Sequence, residues 1–136
     1  MRLVLMFGGV IPFAAGAVTS LSGISVPDIL SAWPAWYQSY TLVIGSFMAG
    51  SLWLGADRAA AQASPGLLIV SNLAALGLWV ANGLLGLSAF LIAAAFVFGG
   101  ILACDIMRRL DRSYLQARII VTGLVCLSLI CVAISR

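Results

Sequence analysis

Five long apolar runs separated by short polar breaks account for nearly all of this 136-residue chain. They cover roughly residues 3–24, 38–56, 66–85, 88–107 and 114–135. Each approaches the length of about 20 apolar residues that a helix needs to cross the hydrocarbon core of a bilayer. In lipid the backbone must satisfy its own hydrogen bonds, which leaves helices or closed barrels. Barrel strands alternate polar and apolar positions over about ten residues. These runs are unbroken, so the pattern predicts helices. The connections are short: "DRAAAQASP" at 57–65, a tight turn at 86–87 and "RRLDRS" at 108–113. The predicted fold is an all-α integral membrane protein, with five transmembrane helices in a single domain (1–136) and no internal repeat.

Two stretches depart from this rhythm. In the first run, Arg2, an apolar stretch and "AAGA" at 14–17 have the layout of a secretory signal peptide. We read the run instead as a retained span, kinked at Pro12, where a missing N–H and the ring interrupt the helical ladder. The second stretch, "VPDILSAWPAWY" at 26–37, contains two prolines and carries Trp33, Trp36 and Tyr37, with Tyr40 just beyond. Rings with an apolar body and a polar tip favour the headgroup layer. The segment therefore reads as an interfacial loop or short helix lying along the membrane; an aromatic ligand cage is the alternative.

Composition and charge sharpen this picture. The chain is 63% hydrophobic and 8% charged, with mean hydropathy +1.17. A soluble domain averages about 25% charged residues, so this chain has too little polar surface to face water all round. All seven basic residues are arginines, unevenly placed. Arg2, Arg58, Arg108, Arg109 and Arg112 fall at ends or loops on one side of a five-span arrangement, with Arg118 close to it and Arg136 opposite. The positive-inside rule then puts the N-terminus in the cytoplasm and the C-terminus outside. The expected address is a bacterial inner membrane, multi-pass, ahead of the mitochondrial inner membrane.

Six of the eleven charged residues lie between Asp105 and Arg118. "RRLDR" reads as a cytoplasmic hairpin loop, and Ser113 with Gln116 fits the S-x-x-Q box that starts a helix. Asp105 and Arg118 fall just inside two spans, on opposite arms of the hairpin. A charge at the bilayer centre costs about 3 kcal/mol on insertion scales, so each needs a partner or an escape. Two readings stay open. The two residues pair across helices, or Asp105 pairs with Arg108 or Arg109 one turn away while Arg118 snorkels to lipid phosphate. Tyr114, Arg118 and Thr122 follow at i, i+4 and i+8 on one helix face. Asp105, Arg108, Arg109, Arg112, Tyr114, Arg118 and Thr122 form the candidate polar site, expected to hold an anionic lipid headgroup.

"GVIPF" at 9–13, "YTLVIGSFMAGSLW" at 40–53, Asp105 closing the fourth run and "YLQARIIVT" at 114–122 stand in a telling order. They resemble a small bacterial inner-membrane family of unassigned function related to mitochondrial transmembrane protein 69. The resemblance covers nearly the whole chain and implies an inner-membrane architecture with no established activity. Members usually carry a His-Trp pair in the second span, where this chain has Leu52-Trp53. With no histidine anywhere, a metal or haem held by that pair cannot apply here.

The available residue types narrow the chemistry. Without His or Glu, the usual nucleophile–base pairs are missing, and an enzyme is not expected. Cys104, Cys126 and Cys131 lack C-x-x-C spacing, so neither zinc nor a redox motif is suggested; buried apolar thiols are. No cofactor is expected, and no basic–aromatic interleaving points to nucleic acid. No span carries a charge near its centre, where coupled carriers usually place one. Asn72 and Asn82 would line a pore or, as amides in lipid more often do, hydrogen-bond across helices.

Small-xxx-small pairs at Gly16 and Ser20, at Ser46 and Gly50, and along Ala95, Gly99 and Ala103 offer grooves where helices approach closely. The expectation is a non-catalytic accessory, assembly or stabilising subunit of a larger inner-membrane complex, such as a bioenergetic one. Its partners would be membrane lipids with anionic headgroups and a membrane protein. An oligomeric channel or small-solute transporter is the alternative, and an isolated lipid-sensing hairpin a third reading.

Overall fold

The apolar runs fold as helices. The computed structural model describes residues 7–22, 32–53, 65–108 and 111–135, and no strand occurs among them. The helices are α1 (Ile11–Ser22), α2 (Trp33–Gly50), α3 (Pro65–Leu84), α4 (Leu87–Met107) and α5 (Arg112–Ile134), with a 3-10 turn Ser51–Trp53 after α2. α3, α4 and α5 begin and end within two residues of the expected runs. Each is long and apolar enough to cross a membrane, since helices of this length reach about 30–35 Å. Three such helices mark a membrane protein. α1 has 12 residues, too few for that thickness, and α2 has 18, its first half diluted by Pro34, Gln38, Ser39 and aromatic rings.

The helix starts follow local chemistry. Pro34 and Pro65 occupy first turns, where the missing N–H leaves no bond unmade. α5 starts differently from expectation: its cap is Asp111, not Ser113. The Asp111 carboxylate accepts from the backbone N–H of Ser113 at 3.2 Å and of Tyr114 at 3.3 Å, and from the Ser113 hydroxyl. Two residues upstream of Ser113, it reaches both orphan donors and meets the positive end of the helix dipole.

These hydrogen bonds, the one from the Ser113 side chain foremost, hold the Asp111 carboxyl below its ordinary pKa of 3.8. A lowered pKa in the folded state adds stability that is complete above the unfolded value and is lost as pH falls through the folded one. Melting followed in detergent should therefore show a steeper acid loss below that range for the wild type than for Asp111→Asn.

The break in the first run also sits elsewhere than expected. The chain turns at Gly9 and Val10, and Pro12 falls in the first turn of α1, where a proline is tolerated. The Gly9 carbonyl accepts from the Tyr40 hydroxyl at 2.9 Å, so the interruption leaves that group satisfied.

α4 is the central helix, against which α2, α3 and α5 all pack, while α1 lies mainly on α5. The Ser20 and Ser135 hydroxyls hydrogen-bond, so α1 and α5 run parallel. Ser71 Oγ donates to the Ala49 carbonyl at 2.7 Å and sets α3 antiparallel to α2. The start of α1, the end of α2, the start of α3 and the α4–α5 hairpin consequently share one end of the bundle. Phe13, Leu78, Phe90, Leu91, Phe98, Leu129 and Val132 fill the interior. Ile69, Leu73, Leu76, Trp79, Phe96 and Leu127 point outward, an apolar shell that water would not solvate and lipid does.

Close helix approach occurs at glycines, but only partly at those expected. Gly16 is buried with the Tyr37 ring seated where a side chain would begin. On α2 the buried stripe is Thr41, Gly45 and Ala49, with Leu78 Cδ1 seated on Gly45. The expected Ser46–Gly50 pair lies one position round the helix; Ser46 is half-buried, and Gly50 is exposed with nothing near it. Ala95 is half-buried, and Gly99 and Ala103 face out of the bundle. α4 instead turns Phe90, Ala94, Phe98, Ile101 and Asp105 inward.

Candidate functional site

A guanidinium presents five N–H donors, and a buried one needs acceptors around it. Arg118, two turns into α5, meets this need at the hairpin end of the bundle. Its side chain is 6% exposed and that of Asp105 is 2% exposed. Arg118 Nε donates to Asp105 Oδ2 at 2.9 Å. Its Nη2 donates to Ser51 Oγ at 2.9 Å and its Nη1 to Met48 Sδ at 2.9 Å. The Ser51 hydroxyl in turn donates to the Met48 carbonyl at 2.6 Å. Asp105 Oδ1 accepts from Arg108 Nη1 at 3.3 Å. Both pairings left open by the sequence therefore occur together, and Arg118 does not snorkel. The result is a buried ionic clamp that joins α2, α4 and α5.

Of the other expected members, Thr122 is buried, Tyr114 half-buried and Arg112 exposed; Arg109 lies outside the described residues. Ser51 and Met48 were absent from the candidate set. Ser51 carries a signal, being a hydroxyl on the last turn before a loop, close to where a buried arginine would need an acceptor. Met48 carries none, because a thioether reads as apolar.

Below the clamp, α1, α2 and α5 enclose a cavity of about 180 Å³, closed on the inside by Phe98 of α4. A wider cleft of about 430 Å³ separates α1 from the start of α2 and is lined by Pro12, Gly16, Thr19, Trp33, Trp36, Tyr37 and Tyr40. The aromatic segment thus differs from a loop lying on the membrane: residues 33–37 form the first turns of α2, and 26–31 lie outside the described residues. Tyr37 is core, edge-on to Phe13 at 5.8 Å and to Trp33 at 6.0 Å, and Tyr40 lies 5.1 Å from Phe13. Of the four rings only Trp36 is exposed. Aromatic contacts of this kind add stability beyond area burial, which accounts for their facing inward.

The remaining polar groups are dispersed. Asn72 is exposed and donates to the Leu68 carbonyl of its own helix at 2.9 Å. The Asn82 backbone carbonyl accepts from Gln38 Nε2 at 3.4 Å, a tie between α2 and α3. The three cysteines are unbridged and half-buried, and Cys126 Sγ donates to the Ala95 carbonyl at 3.6 Å. Among the described residues no three His, Cys, Asp or Glu side chains come together as metal ligands. Chemically, the site can fix helices and hold charge, and it places no nucleophile beside a base.

Comparison with known proteins adds one fact. A family model described as a protein of unknown function, DUF3429, matches residues 1–134. The chain belongs to that family. The match takes in all five helices and the whole Asp105–Arg118 clamp. No curated protein and no solved structure matches the chain.

Proposed function

We propose that this member of the DUF3429 family is a non-catalytic accessory, assembly or stabilising subunit of a larger inner-membrane complex. It acts through helix contact and lipid binding, and is related to mitochondrial transmembrane protein 69. The observation that carries the reading is the outward face of α4. Gly99 and Ala103 are exposed there, and nothing lies within 4 Å of where a side chain on Gly99 would begin. In lipid, association between helices is driven largely by van der Waals contact, and small residues permit it. A groove on the central helix that the bundle's own helices leave open suits a transmembrane helix of a partner. The arginine excess at the hairpin end supports a bacterial cytoplasmic side for it, by the positive-inside rule.

Purification from native membranes in a gentle detergent tests this. The wild type should migrate in a larger assembly, and Gly99→Leu should release it at least tenfold more readily at unchanged thermal stability. A wild-type protein that always migrates alone would remove the reading.

A further inference from the structure

Thr122 lies one turn beyond Arg118 on the same face of α5, is 1% exposed, and its hydroxyl has no hydrogen-bond partner among the described residues. Native structures leave few buried hydroxyls in that state, because each loses its hydration without compensation. Both side chains line the cavity of about 180 Å³ whose other walls are mostly hydrocarbon, notably Phe13, Ile44 and Val125. On the same wall Arg118 directs Nη1 at the Met48 sulfur, a weak acceptor for a guanidinium. The single negative charge of Asp105 is shared between Arg118 and Arg108. Phe47, which borders the cavity, is 77% exposed on the outer surface, so the space reaches the lipid-facing side of the bundle.

We propose that this cavity binds a fatty acid, its carboxylate accepting from Thr122 Oγ1 and Arg118 Nη1 and its chain running along α5 between Phe13 and Val125. A carboxylate gives the Thr122 hydroxyl an acceptor and offers Arg118 Nη1 a stronger one than the Met48 sulfur, and hydrogen bonds between charged partners are the strong ones. A single water would find only the minimum of the two to four polar partners that a buried water takes, and it would leave most of the apolar space unfilled. A phosphodiester headgroup fits poorly too. At about 1.5 Å per residue, Arg118 and Thr122 stand roughly 9 and 15 Å along α5 from its start, below the phosphate layer. Cavities of about 150 Å³ take a benzene ring. This one, at about 180 Å³, therefore holds the carboxylate and about four further carbons, and the rest of the chain leaves past Phe47 into the bilayer. The proposal needs no protein partner and stands or falls separately from the α4 groove.

The test uses the full chain, delipidated in mild detergent and titrated with hexadecanoate, with bound molecules counted by native mass spectrometry. One molecule should bind saturably. Thr122→Val, nearly the same shape, should weaken binding about tenfold while raising the melting temperature of the empty protein, because the orphaned hydroxyl is gone. A threonine serving structure alone would not show that opposition. Ile44→Phe, which fills the cavity from a half-buried position, should abolish binding and leave the fold intact. The methyl ester of hexadecanoate should bind at least tenfold more weakly than the acid. Absence of saturable binding would overturn the proposal, as would affinity unchanged in both variants, an ester as tight as the acid, or displacement by phosphatidylglycerol at equal concentration.

Discussion

Asp105→Ala is expected to lower the stability of the bundle by about 3–5 kcal/mol, the usual consequence of removing one partner from a buried ion pair. Arg118 would then stay inside with only a hydroxyl and a thioether for company. Arg118→Met should cost less, since Asp105 keeps Arg108 as a partner. The double variant should lie close to Arg118→Met alone, giving a large coupling energy between two residues in contact. Unfolding titrations in mixed micelles would report all three. Additive losses, or a single-variant loss under about 1 kcal/mol, a size typical of exposed pairs, would mean that the clamp does not hold the helices.

Gly16→Ala should be nearly as damaging, at about 2–3 kcal/mol, within the range for overpacking a filled core. The added carbon would meet the Tyr37 ring, which packs edge-on against Phe13 and Trp33 and could yield only by disturbing both contacts. Gly45→Ala makes a useful contrast. There the obstacle is Leu78 Cδ1, the end of a flexible side chain that can change rotamer, so the loss should be smaller. Melting temperatures of the two variants in one detergent decide it; equal tolerance at both positions would contradict the rigid-ring argument.

How much of this was legible in the sequence depended on which physical signal each feature left. α3, α4 and α5 were readable because lipid imposes length and apolarity together, and no tertiary detail is needed to see either. The start of α2 was not, since Trp33, Trp36 and Tyr37 have the same composition whether they line a headgroup layer or pack on a neighbouring helix. Only the presence of Phe13 and Gly16 opposite them decides. For the small residues, two adjacent stripes on α2 compete. The inward one, Thr41–Gly45–Ala49, runs three members long against two for Ser46–Gly50, and that extra member was the available clue. The Asp105–Arg118 contact was visible as a candidate because both charges sit inside a hairpin. Its completion by Met48 and Ser51 came from a helix distant in sequence, which spacing within the hairpin cannot encode. Asp111 outcompeted Ser113 as the cap by simple reach, a distinction of two residues.

One arrangement bears on how the protein assembles. α1 makes its main contacts with α5 rather than with its sequence neighbour α2, and the two are pinned together at Ser20 and Ser135. In chain order α1 precedes the other four described helices, and its chief neighbour comes last. Until then the side of α1 that meets α5 is without its main partner. Closure of the bundle is thus a late, long-range event that follows synthesis of the chain's C-terminal helix.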